Sequence, residues 1–276
     1  MSTRVTIAAR RQLTDGPSVD LRAAWSPDGC FVVFERQEGG RSRLVRVQRD
    51  GSGLVALNAC NEGAATVQGR PAFFGPDDFV FVSARGGDPA LWRFRDGAVE
   101  RVTDPEGASD YGPAPLANGG VVLFRMAPEE PPHLLRLGPD GCLHALGEEG
   151  DQPWPVGGGL VFHSDRDGTD AVWRLDVDGV GAVRVTPAGL DEGTPTVTPM
   201  PSPDGGWIAF TRGDDRESQV WLMRLDGRDR QRLTDGEPHS FPAWSPDGRA
   251  LVVTRGRPTA EADPSGDLWR LNLSYS

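Results

Sequence analysis

The sequence predicts an all-β fold, a six-bladed β-propeller built of four-stranded antiparallel blades. Three observations carry this expectation. A unit that opens on proline, or on its equivalent, starts at positions 23, 71, 113, 153, 199 and 242, at intervals of 48, 42, 40, 46 and 43 residues; this is the length of one propeller blade. Inside each unit, short apolar runs and Gly/Pro turn signals recur in one order, with no helical periodicity. The last unit stops before its fourth strand, and the N-terminus begins with a near copy of the missing piece.

The elements follow in order within each unit. The innermost strand is the Pro-Ala-Trp element, seen as Ala23-Ala24-Trp25 and Pro242-Ala243-Trp244. A Ser-Pro-Asp-Gly turn follows at 26–29, 202–205 and 245–248; proline presets φ there and glycine accepts positive φ. The second strand is apolar, as in Phe31–Phe34, Phe79–Val82, Val121–Phe124, Leu160–Phe162, Trp207–Phe210 and Leu251–Val253. The third alternates apolar with polar residues, as in Leu91-Trp92-Arg93-Phe94 and Leu268-Trp269-Arg270-Leu271. The fourth is an Arg-Val-Thr or Arg-Leu-Thr element: Arg101-Val102-Thr103, Arg184-Val185-Thr186 and Arg232-Leu233-Thr234. Arg11-Gln12-Leu13-Thr14-Asp15-Gly16 nearly repeats Gln231–Gly236. Residues 4–14 are therefore expected to pair onto the Leu268–Leu273 strand and close the ring, which removes open sheet edges. The blades fall at about 21–58, 70–104, 113–147, 153–187, 199–235 and 242–273 with 4–14, all in one domain, 1–276.

The Trp-Ser-Pro-Asp-Gly turns, the Leu-Trp-Arg strands, the Arg-Leu-Thr-Asp-Gly strand ends and the turn His163-Ser164-Asp165-Arg166-Asp167-Gly168 resemble the TolB-type propeller repeat, which is PD40-like. The resemblance spans nearly the whole chain. It fades in units three and four, where the turn becomes Leu116-Ala117-Asn118-Gly119 and Val156-Gly157-Gly158-Gly159. It implies the fold. It does not imply the roles of the periplasmic translocation protein or of propeller-bearing peptidases, whose additional domains have no counterpart in the sequence.

Composition bounds the partners. The formal charge is -11, and all 29 basic residues are arginine. This acidic balance argues against a nucleic-acid backbone or an anionic membrane as partner. Three cysteines, Cys30, Cys60 and Cys142, have no metal or redox spacing and suit a reducing compartment. The N-terminus has no signal-peptide pattern, so the expected location is the cytoplasm, and the expected state is a monomer. The sequence contains no nucleophile elbow, phosphate loop, dinucleotide fingerprint or His-Glu-x-x-His pair.

The long, varied connections all emerge on one face of the propeller, and a rigid ring with variable loops suggests a site there and in the axial funnel. Taking strand periodicity as two, residues one and three before each opening proline are expected at the funnel rim. These are Asp20 and Arg22, Gln68 and Arg70, Asp110, Gln152, Thr196 and Thr198, and His239 and Phe241, with Tyr111, Asp151 and Ser240 between them. Trp154 stands where alanine is usual and is expected to narrow the funnel.

Two functions are compatible with this set. In the first, the loop face and funnel bind a protein, a peptide or a small anionic or polar ligand. In the second, the chain is a lyase, hydrolase or cyclase using His239 with Asp20 or Asp110 as acid and base. His163 is expected in the blade wall. Arg36, Arg85, Arg125, Arg166, Arg212 and Arg255 recur just after the second strand and either clamp an anion together or pair with loop acids. Asp165, Asp167 and Asp170 loosely resemble a calcium loop but lack its twelfth-position glutamate, so no cofactor is expected beyond a weak calcium candidate.

Overall fold

The structure is a computed structural model describing residues 3–63, 67–176, 181–187, 194–260 and 264–276. It contains six four-stranded antiparallel sheets. β1 (Val5–Gln12) is the closing strand. Blade one is β2 (Val19–Trp25), β3 (Phe31–Glu38), β4 (Arg41–Gln48) and β5 (Val55–Ala56). One helical turn, α1 (Asn58–Asn61), follows it; the sequence pattern gives no hint of this turn. Blade two is β6 (Gln68–Gly75), β7 (Asp78–Ser83), β8 (Ala90–Arg95) and β9 (Ala98–Arg101). Blade three is β10 (Ser109–Pro115), β11 (Val121–Met126), β12 (His133–Leu137) and β13 (Leu143–Glu149). Blade four is β14 (Asp151–Val156), β15 (Gly159–Ser164), β16 (Ala171–Leu175) and β17 (Val183–Arg184). Blade five is β18 (Thr196–Pro201), β19 (Trp207–Arg212), β20 (Gln219–Arg224) and β21 (Gln231–Arg232). Blade six is β22 (His239–Trp244), β23 (Ala250–Arg255) and β24 (Asp267–Tyr275), completed by β1.

Ring closure has a specific register, with Val5 opposite Tyr275 and Gln12 opposite Trp269. The repeat residues explain the local structure. In each Ser-Pro-Asp-Gly turn the serine hydroxyl donates to the aspartate at 2.6 Å (Ser26–Asp28, Ser202–Asp204, Ser245–Asp247). The same hydroxyl accepts the first amide of the next strand, from Phe31, Trp207 or Ala250. The threonine ending the fourth strand accepts an amide of the third, as in Leu91 to Thr103, Val172 to Thr186 and Val220 to Thr234.

The core lies between neighbouring blades. The second strands supply its fully buried bulk, including Phe34, Phe81, Phe162, Phe210 and Ile208. Trp25 and Trp244 lock adjacent blades, their indole N–H groups donating to the carbonyls of Ala243 and Met200 at 3.2 and 3.0 Å. Burying a residue of this size stabilises by roughly 1.5–3 kcal/mol, and a tryptophan that also satisfies its N–H pays no desolvation penalty.

Candidate functional site

Every innermost strand breaks its register at the same place, and β6 breaks again between Phe73 and Gly75. The shift falls between Leu21 and Ala24, Gly69 and Ala72, Tyr111 and Ala114, Asp151 and Trp154, Val197 and Met200, and Ser240 and Ala243. At each break the residue before the opening position is left-handed: Arg22, Arg70, Gly112, Gln152, Thr198 and Phe241 have φ between 50° and 57°. Five of these six carry a side chain, and such a residue costs of order 1–3 kcal/mol unless its surroundings fix it. The six inner strands therefore share a β-bulge at one equivalent place, and in five of them it re-aims a side chain.

These bulges line the funnel. Arg22, Arg70, Gly112, Gln152, Thr198 and Phe241 surround an axial cavity of about 80 Å³, with Trp154, Met200, Ala23 and four of the opening prolines. The prolines, Met200 and Gly112 were not anticipated at the wall; the repeated opening proline was the signal available for most of them. Six expected residues thus meet here: Arg22, Arg70, Gln152, Thr198, Phe241 and Trp154.

The remaining expected rim residues lie elsewhere, because the extra residue in the bulge reverses the alternation upstream of it. Asp20, Gln68, Asp110 and Thr196 are fully buried and His239 nearly so. Asp20 accepts two hydrogen bonds from Arg36, both at 2.7 Å, and Asp110 two from Arg125 at 2.7 and 2.9 Å. Gln68 donates to the carbonyl of Cys60 at 2.8 Å. The ring nitrogen Nδ1 of His239 lies 2.7 Å from the Glu237 carbonyl, and burial pulls this imidazole down to about 4. An acid–base pair of His239 with Asp20 or Asp110 across the funnel is therefore not formed. Tyr111 packs against Phe124, with ring centroids 5.8 Å apart. Ser240 is buried, and its hydroxyl has no hydrogen-bond partner among the described residues.

Asp151 reaches His163 at 3.0 Å, while Asp170 holds the other ring nitrogen at 2.8 Å. Burial of His163 favours the neutral ring, but the two carboxylates outweigh it and hold its pKa above the ordinary value. The aspartates of the calcium-like loop are thereby divided: Asp170 serves His163, Asp167 pairs with Arg184, and the Asp165 carbonyl accepts the Gly168 amide. Among the described residues no group of three His, Cys, Asp or Glu side chains is placed to hold a metal.

The recurrent arginines are separated too. Arg36 and Arg125 bind Asp20 and Asp110, Arg166 binds Glu148, and Arg255 binds Glu237. Arg85 donates to Cys60 and Arg212 stacks on Trp221. Cys60 is buried, which raises its thiol to about 12 and leaves it inert.

The funnel's electrostatics rest on two adjacent arginines. Arg22 donates to buried Glu35 at 3.0 Å and lies over the Phe241 ring at 4.9 Å. Glu35 also accepts from Gln37 at 2.7 Å and Ser42 at 3.3 Å. Gly69 makes room for it: a Cβ at that position would sit 2.0 Å from Glu35 Oε2. Arg70 lies 6.0 Å from the ring centroids of both Tyr111 and Phe124, and its guanidinium makes no hydrogen bond or ion pair with a described residue. It keeps an opening to the funnel but sits deep among protein atoms. That desolvation, with the charge of Arg22 next in importance, lowers its pKa to about 10, so it remains a cation at neutral pH.

No protein-family profile matches the chain. The uncharacterized protein Atu1656 of Agrobacterium fabrum is 32% identical over 258 residues, covering 84% of this chain and 83% of its own. Among solved structures, a propeller from Agrobacterium tumefaciens assigned to TolB superposes with a TM-score of 0.70 at 19% identity, covering 100% of this chain and 99% of its own. TolB of Acinetobacter baumannii gives 0.66 at 16% identity, over 94% of this chain and 66% of its own. An oligogalacturonate lyase in complex with manganese gives 0.59 at 14% identity, over 99% of this chain and 97% of its own. At these identities the solved structures establish the architecture alone, and the fold hosts proteins of varied function. The chain belongs to the same family as Atu1656 and is a TolB-type six-bladed β-propeller.

Proposed function

We propose that the chain is a binding module whose axial funnel captures the carboxylate of a small molecule or of a peptide terminus. The observation that carries this reading is Arg70: a desolvated guanidinium, open to the funnel, feeling the Glu35 and Asp151 carboxylates only at a distance and making no hydrogen bond or ion pair with a described residue, beside a second arginine already matched to Glu35. A cation that has lost its hydration and has no hydrogen-bonded counter-ion gains from an incoming carboxylate, which a guanidinium meets with two parallel hydrogen bonds. Trp154, Met200 and Phe241 give an apolar wall for the body of the ligand. The narrow cavity selects a small group, and the long-loop face around it is the surface a larger ligand would touch.

Calorimetric titration of the chain with the series acetate to hexanoate tests this. Binding of at least one member is expected, and Arg70→Met is expected to weaken it about 10- to 100-fold, equivalent to ~1.5–3 kcal/mol for a charge-assisted hydrogen bond. Equal affinity in the two proteins would refute the funnel assignment.

A further inference from the structure

Between blades five and six, on the same face as the funnel mouth, lies a groove of about 300 Å³. Thr198 and Phe241 wall both the groove and the funnel. We infer that this groove is a second subsite that takes an ammonium group on the funnel's own ligand, so that the ligand is an amino-bearing carboxylate; this rests on the funnel reading above.

Three features of the groove point to a cationic donor. The first is Ser240. Ser240 lines the groove, the residue is only 7% exposed, and its buried hydroxyl oxygen has no hydrogen-bond partner among the described residues. A buried hydroxyl without a partner is rare, because it loses its hydration with no compensating bond. The neighbouring hydroxyls are engaged: Thr198 and Thr211 bond each other at 2.6 Å, and Thr211 also accepts the Phe241 amide. Among the described groove residues, Ser240 is thus the one with a buried hydroxyl that remains to be satisfied.

The second feature is charge. Asp214 and Asp215 line the groove, and neither forms an ion pair with a described residue. Asp214 accepts the amides of Arg216 and Glu217, and Asp215 accepts the hydroxyl of Thr259. These hydrogen bonds leave the negative charges uncompensated. The third feature is the number of ligands. Two carboxylates and one hydroxyl fall short of a divalent-cation cage, which takes six or more oxygens. They do match an ammonium, which has three N–H donors. The funnel presents the opposite sign through Arg70, so together the two cavities complement a molecule with a carboxylate at one end and an ammonium at the other.

The test titrates the intact chain with ω-amino carboxylates, from glycine to 6-aminohexanoate, against plain carboxylates of equal length. At least one amino acid of the series is expected to bind about ten-fold more tightly than its unaminated counterpart. In Asp215→Asn that ratio is expected to fall to about one, and Asp214→Asn and Ser240→Ala should lower it. Melting curves of the variants confirm that each is folded. If amino and plain carboxylates bind the wild-type chain equally, or if none of the three variants changes the ratio, the groove subsite is overturned while the funnel reading stands. If Arg70→Met changes the affinity of neither series, the funnel reading falls and takes the subsite with it.

Discussion

The hydroxyl of Thr14 accepts the amide of Leu268 at 2.9 Å, across 254 positions of sequence. It makes there the bond that Thr103, Thr186 and Thr234 make inside their own blades. The two ends of the chain thus build one blade by the same local rule as the blades that are continuous in sequence. Thr14→Val would leave the Leu268 amide buried without an acceptor. The expected cost is ~1–2 kcal/mol, seen as a melting temperature lower by about 2–6 °C. Deleting residues 1–14 removes the whole strand and should lower the melt far more; an unchanged melt would contradict closure of the ring by this strand.

Asp20 and Arg36 form a two-pronged pair whose carboxylate is wholly buried. Removing one partner strands the other. Arg36→Ala is expected to destabilise by about 3–5 kcal/mol, whereas the double variant Asp20→Leu with Arg36→Leu should recover much of that loss. Urea unfolding of Asp20→Leu, Arg36→Leu and the double variant gives the coupling. A double variant as unstable as the sum of the singles would show that the pair is not the origin of the effect.

Gly69 is needed for close approach rather than for its backbone angle. An added methyl would meet the Glu35 carboxylate, which holds Arg22 in the funnel wall. Gly69→Ala is expected to cost about 1–3 kcal/mol through overpacking, and to change carboxylate affinity in the funnel by freeing Arg22. Melting curves and the same titrations check both parts.

Two histidines give pH dependences of opposite sign. His239 has a folded pKa near 4, below its ordinary value of 6.5. The unfolded chain therefore binds the proton first, and stability is lost as pH falls from about 6.5 toward 4, by up to about 3 kcal/mol. His163 is raised by Asp151 and Asp170. Its contribution is complete below the unfolded pKa of about 6.5 and is lost as pH rises through the higher folded value. His239→Gln should flatten the acid side of the stability profile relative to wild type, and His163→Gln the alkaline side. Chemical unfolding from pH 4 to 9 separates them; matching profiles for wild type and either variant would refute that assignment.

The blades were legible because their signals are local. Trp25 and Trp244 repeat at blade spacing, the Ser-Pro-Asp-Gly turns carry their own hydrogen bonds, and Thr14 copies Thr234. The bulges were not legible in the same way. Arg22, Arg70, Gln152, Thr198 and Phe241 share no chemistry that marks a left-handed residue, and in four of them the following proline ordinarily favours an extended neighbour. Counting by twos through the bulge put Arg70 and Phe241 at the funnel correctly. It also put Asp20 and His239 there, although one inserted residue had turned them into the sheet. That Arg70 and Ser240 make no side-chain hydrogen bond with a described residue depends on what packs around them from other blades, and no spacing in the chain encodes that.

The bulge in each inner strand also separates two kinds of inheritance. Side chains upstream and downstream of it are buried in blade packing, while those at it line the lumen. Arginine, glutamine, threonine and phenylalanine all stand at this left-handed position on the same backbone conformation, whereas Gly112 is held to glycine because a Cβ there would lie 2.6 Å from the Phe124 ring. The lumen behaves as an interchangeable fitting on a fixed frame. The lining of the lumen is thereby set by a handful of positions, those of Arg22, Arg70, Gln152, Thr198 and Phe241, apart from the residues that pack the blades.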